Sequence, residues 1–157
     1  MPGPSWVNPL ISQDHRDILK EFLDGDVEFL VVGAHALAAH GVPRATGDLD
    51  LWINRSPENV EKVWQALERF GAPLTDLDPS DLEKPDVVYQ VGVAPNRVDI
   101  LSFIDGVTFS EAWQQRMEIE VEGLSIPVIS KEHLVLNKDT VGRPQDIADI
   151  KRLKSLE

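Results

Sequence analysis

Cysteine is absent from this chain, which excludes a disulfide framework and any cysteine-based zinc site. Positive charge is scarce: 15 Lys plus Arg stand against 27 Asp plus Glu, a formal net charge of −12. Such a balance repels a phosphate backbone at long range and argues against bulk electrostatic binding of nucleic acid. Long apolar runs are missing too, none approaching the ~20 residues of a membrane span. The opening MPGPSWVNPL has neither the basic nor the apolar region of a secretory signal, so a cytoplasmic protein without membrane contact is expected. Of the four Trp, three read as packing or interface residues rather than base-stacking platforms, and Trp52 stands out as the exception. What is present is an ordinary amount of core material: 157 residues, 42% hydrophobic, enough to bury roughly 70% of the unfolded surface without staples. The charge is uneven, since residues 131–157 hold six basic and five acidic side chains and the first 130 hold nine and 22. Any anion-handling surface is therefore expected to borrow from the C-terminal segment.

Periodicity organises the chain without a visible domain boundary, and a single domain over residues 1–157 is expected. An N-terminal helix over 12–24 has Ser12 as cap and Ile18, Leu19, Phe22 and Leu23 at helical spacing. The core, 27–129, opens with EFLVVG, a short strand ending in glycine, and AHALAAHG, an alanine-rich helix closed by Gly41. DLDLWI alternates with period two, so Leu49, Leu51 and Ile53 face one way and Asp48 and Asp50 the other. Ser56-Pro57-Glu58 begins a helix that Gly71 ends. An acidic, Pro-containing surface loop follows, then strands in VVYQVGV and RVDILSF and a hairpin turning at Gly123. Ser130 and Pro144 start two C-terminal helices within 131–155. The order implies a mixed sheet with helices packed on it.

Three Asp-x-Asp pairs occur, at Asp24/Asp26, Asp48/Asp50 and Asp76/Asp78. Only the second lies on a strand, where residues i and i+2 point to the same side about 7 Å apart, from a rise of ~3.3 Å per residue. Both carboxylates can then reach one or two divalent cations, and without a cation their repulsion raises one pKa. Asp99 sits in a similar frame, polar among apolar neighbours in RVDIL. Hard oxygen ligands without Cys or nearby His favour magnesium or manganese over zinc. Upstream, Gly33 stands at a strand-to-helix junction, where backbone N–H groups can meet phosphate oxygens. The motifs G-x-x-x-x-G-K-[ST], G-x-G-x-x-G and G-x-S-x-G are absent. His35 and His40, five apart, cannot form an i, i+4 zinc pair and are expected on the helix surface or behind the site. Trp52 shares the face of Asp48 and Asp50.

The string VVGAHALAAHGVPRATGDLDLWI resembles the core motif of the nucleotidyltransferase superfamily, the polymerase-beta-like fold. Its Arg44-x-Thr46 lead-in and the later KDTVGRPQDIADIKRL are similar to minimal transferases related to abortive-infection toxins. The resemblance implies an α+β protein with a nucleotidyltransferase-like mixed β-sheet. It implies transfer of a nucleoside monophosphate from a triphosphate such as ATP to a hydroxyl, releasing pyrophosphate. By the same resemblance Asp48, Asp50 and Asp99 ligate Mg2+ or Mn2+, and Asp99 helps deprotonate the attacking hydroxyl. Gly33 and Ala34 lie against the phosphates, helped by Arg44, Thr46, Lys138 and Arg143. A toxin–antitoxin setting with a cognate antitoxin is a further implication; the acceptor could be a small molecule, a protein hydroxyl or RNA. One position departs from the pattern: Ala34 replaces the usual Ser or Gly, removing a hydroxyl that often bonds a phosphate. That departure opens the alternative of a catalytically degenerate nucleotide-binding or partner-binding module with the same fold. Asp146 and Asp149 read chiefly as first-turn residues of the last helix.

Overall fold

Serine caps start three of the helices in a computed structural model that describes residues 12–44, 47–93 and 96–156. Ser12, Ser56 and Ser130 each accept a hydrogen bond from the amide three residues on, in His15, Asn59 and His133, satisfying donors that a helix start otherwise leaves orphaned. They open α1 (Gln13–Asp24), α3 (Pro57–Phe70) and α5 (Lys131–Val141). The remaining helices are α2 (Gly33–Ala39), α4 (Phe109–Gln114) and α6 (Pro144–Ser155), and a 3-10 turn spans Pro79–Glu83 in the acidic loop. Of these, α4 has no counterpart in the sequence reading, because six residues are too few to show a helical period. Among the described residues no helix is long and apolar enough to cross a membrane.

Six strands form one mixed sheet: β1 (Phe29–Val32), β2 (Leu49–Ile53), β3 (Val88–Val91), β4 (Val98–Leu101), β5 (Met117–Val121) and β6 (Leu124–Val128). Their order is β3-β4-β2-β1-β6-β5, and the architecture is the expected α+β one. The β5–β6 turn is a two-residue hairpin, with φ of 51° at Glu122 and 81° at Gly123, the left-handed pair that matches strand twist. Two pairings place the chemistry. β1 runs antiparallel to β2 with Val32 opposite Asp50, and β2 runs parallel to β4 with Asp50 beside Asp99. Asn59, buried in α3, holds this frame from behind by accepting from the Glu28 amide (2.8 Å) and donating to the carbonyls of Glu28 (3.0 Å) and Asn54 (2.6 Å). It thereby ties α3 to the residues just before β1 and just after β2.

Along β2, Leu49, Leu51 and Ile53 are buried on one face. On the other, Trp52 is sealed by Phe109 of α4, ring edge to face at 5.1 Å. Trp52 is thus a packing residue, not a stacking platform. α1 and α3 lie against each other, and Ile18, Leu19, Phe22, Val60, Val63 and Leu67 are all within the core.

Candidate active site

The pairing of β2 with β4 converts two separate sequence features into one acidic centre. Asp50 and Asp99 are lateral neighbours on parallel strands, so their side chains leave the same face of the sheet. Asp48 precedes β2, and the Leu49 amide donates to the Arg97 carbonyl at 3.0 Å, which brings the beginnings of both strands side by side. The Asp50 carboxyl is pushed up to about 7. Burial is the main cause, followed by the negative charge of Asp99, a hydrogen bond to Asp99 and the charge of Asp48, with Arg97 partly offsetting them. Burial and the neighbouring carboxylates thus favour the protonated form of Asp50 well above the usual carboxylate range.

Gly33 closes the site from the β1 side. Its φ is +69°, in the left-handed region that L side chains rarely adopt, and a Cβ built there would overlap the Asp50 carboxylate. The position demands glycine twice, once for its backbone and once for its neighbour. Ala34 follows in the first turn of α2.

Arg97 was not among the candidates read from the sequence, yet it spans the acids. Its Nη2 lies 2.8 Å from Asp48 Oδ2 and 3.5 Å from Asp99 Oδ2, and its Nε lies 3.1 Å from Asp99 Oδ1. The last pair is poorly aligned: Nε and Oδ1 are both buried and neither makes a hydrogen bond. The sequence did hold a signal for it, since Arg97 and Asp99 at i and i+2 share a strand face. Among the described residues no three acidic or imidazole side chains already stand at metal-ligand spacing. The donor set nonetheless suits a hard divalent cation, as it offers carboxylate oxygens only, one of them buried and without a hydrogen bond.

The cationic candidates form a second group. Lys138 is buried, with Nζ 3.0 Å from Asp149 Oδ2 and 3.3 Å from Asp146 Oδ1. Arg44 ion-pairs with Asp149. Arg143, largely exposed, donates from Nε to Asp146 Oδ2 at 2.7 Å. That bond, with help from Lys138, holds the Asp146 carboxyl below its ordinary range. Asp146 does serve the first turn of α6, accepting from the Arg143 amide at 3.2 Å, but both aspartates also face inward. Their spacing with buried Leu153 marks one helix stripe, 146, 149 and 153, and that stripe was the available signal. The cluster ties α5 and α6 to the segment leading into Asp48. Thr46 lies outside the described residues.

His35 is buried rather than on the helix surface, 5.6 Å from the His15 ring in an edge contact. The ring of His40 is 2.8 Å from the Ile129 carbonyl.

Removing one charge from the second group should unsettle the C-terminal helices. Asp149→Asn is expected to cost about 2 kcal/mol, because Lys138 and Arg44 lose a shared counter-ion while the shape is kept. Equilibrium urea unfolding checks this.

The fold is that of nucleotidyltransferases. A Thermotoga maritima protein described as a candidate nucleotidyltransferase superposes with a TM-score of 0.59 at 17% identity, covering 100% of this chain and 97% of that one. The lincosamide antibiotic adenylyltransferase LnuA, in its lincomycin-bound form, gives 0.59 at 20% identity over 94% and 99% of the two chains. ANT(2'')-Ia in complex with adenylyl-2''-tobramycin gives 0.55 at 17% identity over 98% and 91%. Residues 11–155 match the family DUF6036, described as nucleotidyltransferase of unknown function, and the chain belongs to that family. A Methanococcus maripaludis protein named DNA polymerase sliding clamp is 24% identical over 137 residues, 83% of this chain and 52% of that protein. The chain thus spans about half the length of this curated relative.

Proposed function

We propose that this nucleotidyltransferase moves a nucleoside monophosphate from a triphosphate to a hydroxyl acceptor, with Mg2+ or Mn2+ held by Asp48, Asp50 and Asp99. The observation that supports the reading best is the register pairing of Asp50 with Asp99 beside a glycine whose missing side chain leaves room for the Asp50 carboxylate. A divalent cation bound there supplies charge stabilisation at phosphorus and at the leaving group. The chain's own residues do the rest. Amides of Gly33 and Ala34 take phosphate oxygens, and Lys138, Arg44, Thr46 and Arg143 add positive field or hydrogen bonds on the triphosphate side. Asp99 accepts the proton of the attacking hydroxyl. The new bond joins that oxygen to the α-phosphorus as the bond to the bridging oxygen breaks, and pyrophosphate departs.

A small-molecule hydroxyl is the first acceptor class to test, since LnuA is a lincosamide antibiotic adenylyltransferase and ANT(2'')-Ia was seen with adenylyl-2''-tobramycin. The net charge of −12 sets RNA behind neutral or cationic molecules. An antitoxin partner belongs to the same reading, on the strength of the sequence resemblance. Ala34 favours a second reading, a module that binds nucleotide without turnover. Incubation with each of the four labelled nucleoside triphosphates, Mg2+ and a cell extract separates the two. Label transfer with pyrophosphate release is expected, and Asp99→Asn is expected to reduce it at least ~100-fold, the loss of a general base. Nucleotide binding with no transfer from any triphosphate would leave the second reading in place.

A further inference from the structure

We propose that Arg97 is a built-in counter-ion of the acidic site that a divalent cation has to displace, and that the released guanidinium then grips phosphate of the incoming nucleotide. This rests on the reading above, in which Asp48, Asp50 and Asp99 hold the cation. One guanidinium bridges acids from two chain segments, at 2.8 Å to Asp48 and 3.1 Å to Asp99. A Mg2+ or Mn2+ ion draws carboxylate oxygens to roughly 2.1 Å, so a cation and the guanidinium cannot both be held against the same oxygens. Arg97 and the metal therefore compete.

Three features make the exchange feasible. The Arg97 side chain is one-third exposed although its Nε is buried, so part of it already faces solvent. Its bond to Asp99 is only half made, because Nε and Oδ1 lie close without alignment. Its planar fork matches phosphate as well as carboxylate, and the Gly33 turn, where phosphate is proposed to lie, adjoins Asp50. The arrangement keeps the carboxylates gathered before substrate arrives. It also makes the free protein a poor binder of metal alone and a better binder of metal with nucleotide. Arg97 is thus a positioning residue for the acids first and a phosphate ligand afterwards.

The test measures two dissociation constants, one for Mn2+ alone, by electron paramagnetic resonance, and one for the preformed Mn2+ complex of α,β-methylene ATP. Arg97→Gln is expected to bind Mn2+ about tenfold tighter and the nucleotide complex about tenfold weaker, the scale of one charge-assisted bidentate contact. Arg97→Lys keeps the charge without the fork and is expected to bind Mn2+ severalfold tighter than the unmodified protein. It also serves as the folded comparison if the Gln variant loses stability. Equal Mn2+ affinity in the unmodified protein and Arg97→Gln would overturn the proposal, as would a Lys variant indistinguishable from the unmodified protein, since a simple field effect would then suffice. If neither protein binds Mn2+ above an Asp50→Asn/Asp99→Asn background, the metal reading itself fails, a result distinct from the two preceding ones.

Discussion

Asp50→Asn is expected to make the protein more stable at pH 8 in the presence of a chelator while removing nucleotidyl transfer. The carboxyl titrates near 7 in the folded chain against 3.8 ordinarily, so between those values the folded state binds a proton that the unfolded state releases. Stability from this group is complete below about pH 4 and is lost as pH climbs through 7, where Asp50 must ionise beside Asp99 in a buried setting. At about 1.4 kcal/mol per pH unit, reduced for partial solvent access, the loss amounts to about 2 to 4 kcal/mol. Asn carries no charge at either pH and can still donate to Asp99. The variant should therefore match the unmodified protein at about pH 4 or below, begin to exceed it as pH rises from there, and exceed it at pH 8 by about 2 kcal/mol, read from urea midpoints in chelator.

The same substitution removes a proposed cation ligand, and pyrophosphate release should fall roughly 1,000-fold or more, since several kcal/mol of charge stabilisation are withdrawn. Binding of a divalent cation requires the carboxylate form, so Mg2+ should raise the melting temperature of the unmodified protein more at pH 8 than at pH 6 and leave Asp50→Asn unmoved. A variant less stable than the unmodified protein at pH 8 would show that the Asp50 charge is already well compensated within the fold.

Gly33→Ala is expected to damage stability and catalysis together. A residue with a Cβ in the left-handed region costs about 1 to 2 kcal/mol. Here the added methyl would also strike the Asp50 carboxylate, which must turn away from Asp99 or push β1 from β2. A total near 3 kcal/mol follows, with transfer reduced at least ~100-fold because a small displacement of reacting groups suffices for that. A double-mutant cycle separates the two causes. In an Asp50→Ala background the collision is gone, and Gly33→Ala should cost only the backbone share, giving a coupling of about 1 kcal/mol or more between the two positions. Additive costs would mean that the glycine is needed for its backbone alone.

These two expectations turn on residues of very different legibility. Asp50 was visible as a candidate because a strand's period of two puts it on the face of Asp48, against three Asp-x-Asp pairs of which only one alternates with apolar residues. Gly33 was visible as a bend between strand and helix, but not as the wall of the Asp50 pocket, because that contact depends on Val32 lying opposite Asp50. Serine caps and the terminating glycine of α3 were read correctly, since each works within a few residues of chain: Gly71 adopts a φ of 93° and closes its helix as expected. The short α4 left no trace of this kind, and neither did its aromatic cover over Trp52. Asp146 and Asp149 were read chiefly as first-turn helix charges and Lys138 as a phosphate-side residue by resemblance; the burial of all three comes from the way α6 folds back on α5.

Local grammar alone therefore determined where most of the helices and strands begin, which strand carries Asp50, and that the chain has core material enough without disulfides. The sheet order decided the remainder. Only the parallel alignment of β2 with β4 sets Asp99 against Asp50 and swings Arg97 across to Asp48, and only the docking of α6 gives Lys138 its two buried partners. The physical reason is one of range: caps, turns and alternation act between near neighbours, whereas a carboxylate's proton affinity and an arginine's choice of partner depend on charge and solvent displaced by segments some fifty or a hundred residues away.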